Sequence, residues 1–209
     1  MLTVKNALTE CDFTLDARIE RALRHFPLVE GTTEILITRI PKITLTSLEK
    51  SRCDRWVRAL RGDEYRQAIK HLSIMDSSGS PTYCCLGVGV YRMIKDDLSN
   101  QNYPLSFCWG TSGEVTKRLY RRCGARLDLI QDQIMPEEVA RYFGMPDEAG
   151  FYVTIKRSSS DIEVLSQMGD PILLSLARLN DWLHLSFKNI ADIIEIAING
   201  GYNRGLGEN

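Results

Sequence analysis

The sequence lacks an excess of either charge, a long apolar run and any of the compact motifs that announce a chemistry. Its 26 Lys and Arg residues stand against 27 Asp and Glu, a formal net charge of -1. A dedicated duplex binder draws affinity from a broad cationic excess, so specific DNA binding is not expected. No apolar stretch approaches the ~20 residues needed to span a bilayer. The first 14 residues mix Lys5, Glu10 and Asp12 with short apolar stretches and lack the basic start and apolar run of a secretory signal. Together these absences predict a cytoplasmic protein with no membrane segment, whose six cysteines (Cys11, Cys53, Cys84, Cys85, Cys108 and Cys123) remain free thiols. Zinc needs three or four ligands at short paired spacings, and there is no C-x-x-C here. No Walker-type loop, dinucleotide-binding glycine triplet or paired metal-binding carboxylates occur either. No metal and no cofactor are expected.

What is present is the balance of a chain that buries a core, 44% hydrophobic and 25% charged over 209 residues. Apolar residues at helical spacing from Leu15 to Phe26 predict a helix that Pro27 stops. Residues 32–45 read as strand, interrupted at Pro41. Thr46 and Glu49 have capping-box spacing ahead of an apolar stripe of Cys53, Trp56, Val57 and Leu60, with Gly62 placed to end the helix. Residues 83–98 begin extended and turn helical around Cys85. Residues 105–109 and 151–156 have strand character. Helices are also expected from Ser112 to Arg122, just after Pro136, from Asp170-Pro171 through Leu179, and after a Ser186 cap. The fold class expected is α+β, mainly α: a helical globular domain with one small β element built from residues 32–45, 105–109 and 151–156. Residues 1–50 form an N-terminal helix-strand portion, not necessarily a separate domain. Residues 51–198 form the main domain, and residues 199–209 are a polar tail expected to fray.

Four stretches in order carry a resemblance. They are R-W-V-R-A-L-R-G-D-E-Y-R-Q (55–67), Y-C-C-L-G-V (83–88), M-P-E-E-V-A-R-Y-F-G-M (135–145), and L-N-D (179–181) followed by L-S-F-K-N-I-A-D-I-I-E (185–195). Together they resemble an uncharacterised family of small proteins encoded by bacteriophages and prophages. Y-C-C-L-G-V is the most distinctive piece. Residues 99–134 and 146–170 are longer than the family pattern implies and read as insertions. The resemblance implies a phage origin and an accessory role, and brings no catalytic residues with it.

Two groups of residues are candidate sites. Cys84 and Cys85 fall at a predicted helix N-terminus, where backbone N–H groups and the helix dipole would stabilise a thiolate. A thiol enzyme, a cysteine-dependent hydrolase or transferase, also needs an imidazole base and an orienting carboxylate, for which His184 with Asp181, or His71 with Asp76, are available. The competing reading places both thiols in the core, because Leu86, Val88 and Val90 follow at once. The second group is basic. Lys117, Arg118, Arg121 and Arg122, with Arg126 beyond, would share one face of a helix and suit a phosphate, a short single strand or an acidic protein surface. The competing reading is a solvated helix face whose cations favour the helix C-terminus. The C-terminal segment from Leu185 resembles the first helix of a helix-turn-helix unit but is followed by no recognition helix. The function expected is a non-enzymatic accessory protein that binds a host protein or a small phosphorylated ligand, with counter-defence compatible. A thiol enzyme and a nucleic-acid binder are the alternatives, and homo-oligomerisation is left open.

Overall fold

Thr46 and Glu49 form the capping box their spacing implies. The Glu49 carboxylate accepts from the Thr46 N–H at 2.7 Å, and the Glu49 N–H donates to Thr46 Oγ1 at 3.3 Å. They open helix α1 (Ser47–Arg61), which ends where the Gly62 N–H returns to the Arg58 carbonyl. Cys53, Trp56, Val57 and Leu60 form its buried stripe. The computed structural model describes residues 34–97, 105–109, 117–123, 126–129, 133–158, 172–181 and 183–203, and all structural statements refer to these. The helix expected over residues 15–26 lies outside them.

Trp56 is fully buried, and its ring lies 4.9 Å from that of Phe143. Its indole N–H donates to the Cys85 carbonyl at 3.0 Å, so the polar edge of this large side chain is satisfied in the core. Cys85 begins helix α2 (Cys85–Asp97), and two glycines let this helix come close to its neighbours. A Cβ on Gly87 would stand 1.7 Å from the Leu72 carbonyl oxygen, and one on Gly89 would stand 3.1 Å from the Trp56 ring. The G-V-G of this segment is therefore a packing requirement: one glycine admits backbone, the other admits indole. After the short helix α3 (Glu137–Tyr142) and helix α4 (Leu176–Asp181), helix α5 (Phe187–Ile198) begins where Ser186 Oγ accepts from the Asn189 N–H at 3.2 Å. Helix α5 packs along α1. Arg61 on α1 pairs with both Asp192 and Glu195 on α5, which compensates the nearly buried Asp192 carboxylate.

The fold class is α+β, mainly α, as expected, with more of the described residues in helices than in strands, but the β component is divided among three small sheets. The first runs β10 (Tyr202–Asn203), β1 (Glu34–Ile40), β8 (Tyr152–Ser158), β9 (Ile172–Ser175), all antiparallel, with a register shift in β1 between Ile37 and Arg39. The second places β4 (Pro81–Tyr83) between β2 (Arg66–Gln67), parallel to it, and β3 (Ser73–Met75), antiparallel. The third is an antiparallel meander of β5 (Leu105–Trp109), β6 (Lys117–Cys123) and β7 (Arg126–Leu129).

Three local expectations are corrected. The stretch holding Lys117 to Arg122 is strand β6, hydrogen-bonded on both sides. Cys123 at the end of β6 pairs with Arg126 at the start of β7. Within the segment expected to be one helix through Leu179, Ile172–Ser175 is strand β9 and the helix begins only at Leu176, because pairing with β8 overrides local propensity. The tail does not fray from residue 199: Tyr202 and Asn203 pair with Ile40 and Arg39.

Helix propensity alone would favour Gly→Ala inside α2 by about 1 kcal/mol. The opposite sign is expected here. In urea titrations Gly87→Ala should prevent folding or lower stability far more than Gly89→Ala, since backbone cannot yield as an indole can. A stabilised Gly87→Ala variant would show that the close approach of α2 to residue 72 is wrong.

Candidate functional site

Three of the four stretches quoted above, far apart in sequence, meet at one amide. Asn180 is fully buried at the end of α4. Its Oδ1 accepts from Gln67 Nε2 at 3.0 Å and from the Cys85 N–H at 3.4 Å. Its Nδ2 donates to the Ala68 carbonyl at 2.9 Å and to Asp181 Oδ1 at 2.7 Å. An amide side chain has two donor hydrogens and two acceptor lone pairs, and all four are used. Gln67 extends the arrangement, donating to the Leu185 carbonyl at 2.6 Å and accepting from the Phe187 N–H at 3.2 Å. The strand after α1, the start of α2 and the α4–α5 connection are thus bound to one another by side-chain amides.

Beside this hub opens a cleft of ≈ 570 Å³, within the size range of small-molecule sites. Asp181 lies at its wall, with Lys70, His71 and Arg178. Tyr152 and Ser175, neighbours across the β8–β9 ladder, also face it. Lys70 has φ 71°, a left-handed backbone unusual for a residue with a Cβ. Its N–H donates to Asp181 Oδ1 at 2.9 Å, which holds it there. The Lys70 ammonium has no ion-pair partner among the described residues. His184, on the loop after α4, is exposed and is the other non-glycine residue with positive φ among the described residues, at 49°.

The thiols lie on the far side of the hub, in the core. Cys84 and Cys85 are buried, and the Cys85 thiol donates to the Leu176 carbonyl at 3.6 Å. Burial pushes Cys84 up to about 12; the Gly87 N–H, donating to its Sγ, works against this, and the nearby Asp181 carboxylate adds to it. Burial likewise raises Cys85 well above the ordinary thiol range, helped by Cys84 and Asp181. The helix N-terminus is there as expected, but loss of solvation outweighs it and both groups are held as thiols. Of the imidazole and carboxylate candidates, His71 and Asp181 come together at the cleft, while Asp76 is tied into its own turn by Ser78 and Ser80 and pairs with Arg66.

The basic cluster loses its geometric premise. On a strand, residues of opposite parity fall on opposite faces. Lys117 and Arg121 therefore occupy one set of positions on β6, and Arg118 and Arg122 the other, with Arg126 across from Cys123 on β7. The side chains of these five residues lie outside the described part of the structure. Sequence reasoning missed Lys70, Tyr152, Arg178 and the hub itself. The L-N-D triplet was the available signal, since an asparagine set between a buried leucine and an aspartate needs partners.

Among the described residues, no three His, Cys, Asp or Glu side chains are grouped as a metal ion would need, and no helix is long and apolar enough to cross a membrane.

Asn180→Leu keeps the branched shape but leaves the buried Cys85 N–H without its acceptor and the half-buried Ala68 carbonyl without its side-chain donor, at about 1–3 kcal/mol for each buried group left unpaired. A loss exceeding about 3 kcal/mol is expected in denaturant titration, and a loss below about 1 kcal/mol would mean the hub does not hold these stretches together. For pH, Cys53 and Cys84 are each raised from 9.0 to about 12. Above pH 9 the unfolded chain releases thiol protons that the folded chain retains. Stability is thus fully present below pH 9 and should fall between pH 9 and 12, by up to about 1.4 kcal/mol per pH unit for each thiol. Serine substitution at Cys84 should flatten that fall in pH-dependent melts.

Residues 48–198, well over half of the chain, match the family described as domain of unknown function DUF8296. No curated protein and no solved structure matches the chain. The matched span contains α1, the hub and α5, and every residue named at the cleft. The chain belongs to the DUF8296 family.

Proposed function

We propose that the protein is a phage-encoded accessory protein that acts by binding, and that the cleft beside Asn180 receives a small phosphorylated ligand. The observation that carries this reading is the pairing of two cations, Lys70 and Arg178, in a cleft of ligand size, one of them held in a left-handed conformation by a carboxylate hydrogen bond. A left-handed residue with a Cβ costs roughly 1–2 kcal/mol, and such conformations gather at functional sites. An arginine and a lysine together suit a phosphate: one offers a planar fork, the other a mobile point charge. Binding without catalysis is favoured over the thiol enzyme because both candidate nucleophiles are buried and held protonated. The phage origin rests on the resemblance of the four sequence stretches, and sequestration of a host metabolite or signal as counter-defence is compatible with it. A host protein is the competing partner.

The test is to purify the chain from its host, denature it and analyse the released small molecules by mass spectrometry. Wild type is expected to release a phosphorus-containing species, chemically unaltered, that the double variant Lys70→Glu, Arg178→Glu does not retain. Both positions are exposed, so the variant should melt within a few degrees of wild type. A host protein recovered with wild type and variant alike, and no released ligand, would replace this reading with the protein-partner one.

A further inference from the structure

We infer that the ligand of this cleft is a nucleoside phosphate, with its base on Tyr152 and its phosphate end toward Arg178 and Lys70; this rests on the phosphate-binding reading above. The order of groups along the cleft follows from the backbone. Tyr152 on β8 is directly across from Ser175 on β9. Ser175 Oγ accepts from the Arg178 N–H at 3.3 Å, which fixes the turn by which β9 enters α4. Arg178 and Asp181, three residues apart on α4 and so about 4.5 Å apart along its axis, line the same cleft as Ser175, the last residue of β9. Asp181 in turn holds the Lys70 backbone. The sequence of surfaces is therefore aromatic ring, hydroxyl, guanidinium, carboxylate, ammonium.

Each surface asks for a different part of a ligand. Tyr152 leaves 42% of its surface exposed, whereas Val153 and Ile155 on the same strand are buried. With half-buried Ile134, Ala149 and Ala177 on the same cleft, it provides an apolar floor for a flat ring. Inorganic phosphate or a sugar phosphate has no group to place there. Arg178 and Lys70 match a phosphate. The Ser175 hydroxyl, between the Tyr152 ring and Arg178, is placed for a sugar hydroxyl, while Asp181, one oxygen of which is occupied by two N–H donors, lies between the two cations that offset its charge against the phosphate. Ring, hydroxyls and phosphate on one molecule define a nucleoside phosphate. Stacking accepts any base, so the cleft sets the class of ligand and not the base.

The experiment is calorimetric titration of the full chain with ATP, GTP, CTP and UTP, each against inorganic tripolyphosphate. At least one nucleotide is expected to bind about tenfold or more tightly than tripolyphosphate. Tyr152→Ala should lower that affinity by about tenfold or more, and Tyr152→Phe, which keeps the ring, should restore it. Arg178→Gln should weaken nucleotide and tripolyphosphate together. If tripolyphosphate binds as tightly as every nucleotide, or folded Tyr152→Ala binds nucleotide like wild type, the nucleoside assignment is overturned and the phosphate reading stands. If neither tripolyphosphate nor any nucleotide binds at millimolar concentration, the phosphate reading falls with it.

Discussion

The side-chain amide of Asn180 joins three stretches of chain whose own backbone pairing would not hold them together. β2 has two residues, β4 has three and α4 has six, each too short to be stable by itself. Asn180 ties β2 to the first N–H of α2 and, through Gln67, to the entry of α5. Every lone pair and hydrogen of that amide is used, so the group is buried without an unpaired polar atom. The placement of Asp181, and through it the backbone of Lys70, depends on the same connection. Whatever the cleft holds, its polar wall is as rigid as this hub makes it.

On the opposite side of the hub the constraint is steric. Trp56 fills the space between α1 and α2, and it can do so because Gly89 presents no side chain and the Cys85 carbonyl is turned to accept the indole N–H. Gly87 brings the same helix against the backbone of residue 72, just after the segment that carries Lys70 and His71. The Y-C-C-L-G-V stretch therefore combines packing and positioning. Its cysteines are small apolar fillers, its glycine is a contact surface, and its first helical N–H belongs to the hub.

Much of the helical part was legible in the sequence because helix signals are local. The Thr46–Glu49 box, the Ser186 cap and the Trp56 stripe each lie within a few residues of the structure they specify. The strands were less legible because their partners are remote. Lys117 to Arg122 has helix-like charge spacing, and only pairing with β5 and β7 makes it a strand. β9 was absorbed into a helix because its partner, β8, cannot be inferred from local spacing. The cleft was invisible for the same reason. Asn180 meets residues 67, 68 and 85, and Asp181 meets Lys70 across 111 positions of sequence. The cysteine reading shows how two correct local facts can mislead. The helix N-terminus and the thiols are both where they were expected, and burial decides the chemistry.

The first sheet has a further implication. β1 lies between β10 and β8, yet residues 34–40 and 202–203 both fall outside the stretch that matches the family. These two flanks are hydrogen-bonded to each other, and Ile37 and Ile40 from the first of them enter the common core. The unit that can be inherited or exchanged intact is therefore larger than the unit recognised by similarity. A chimera that grafts residues 48–198 of one relative onto the ends of another would join a core to a central strand shaped for a different one. The two ends would have to travel with the core as a matched pair.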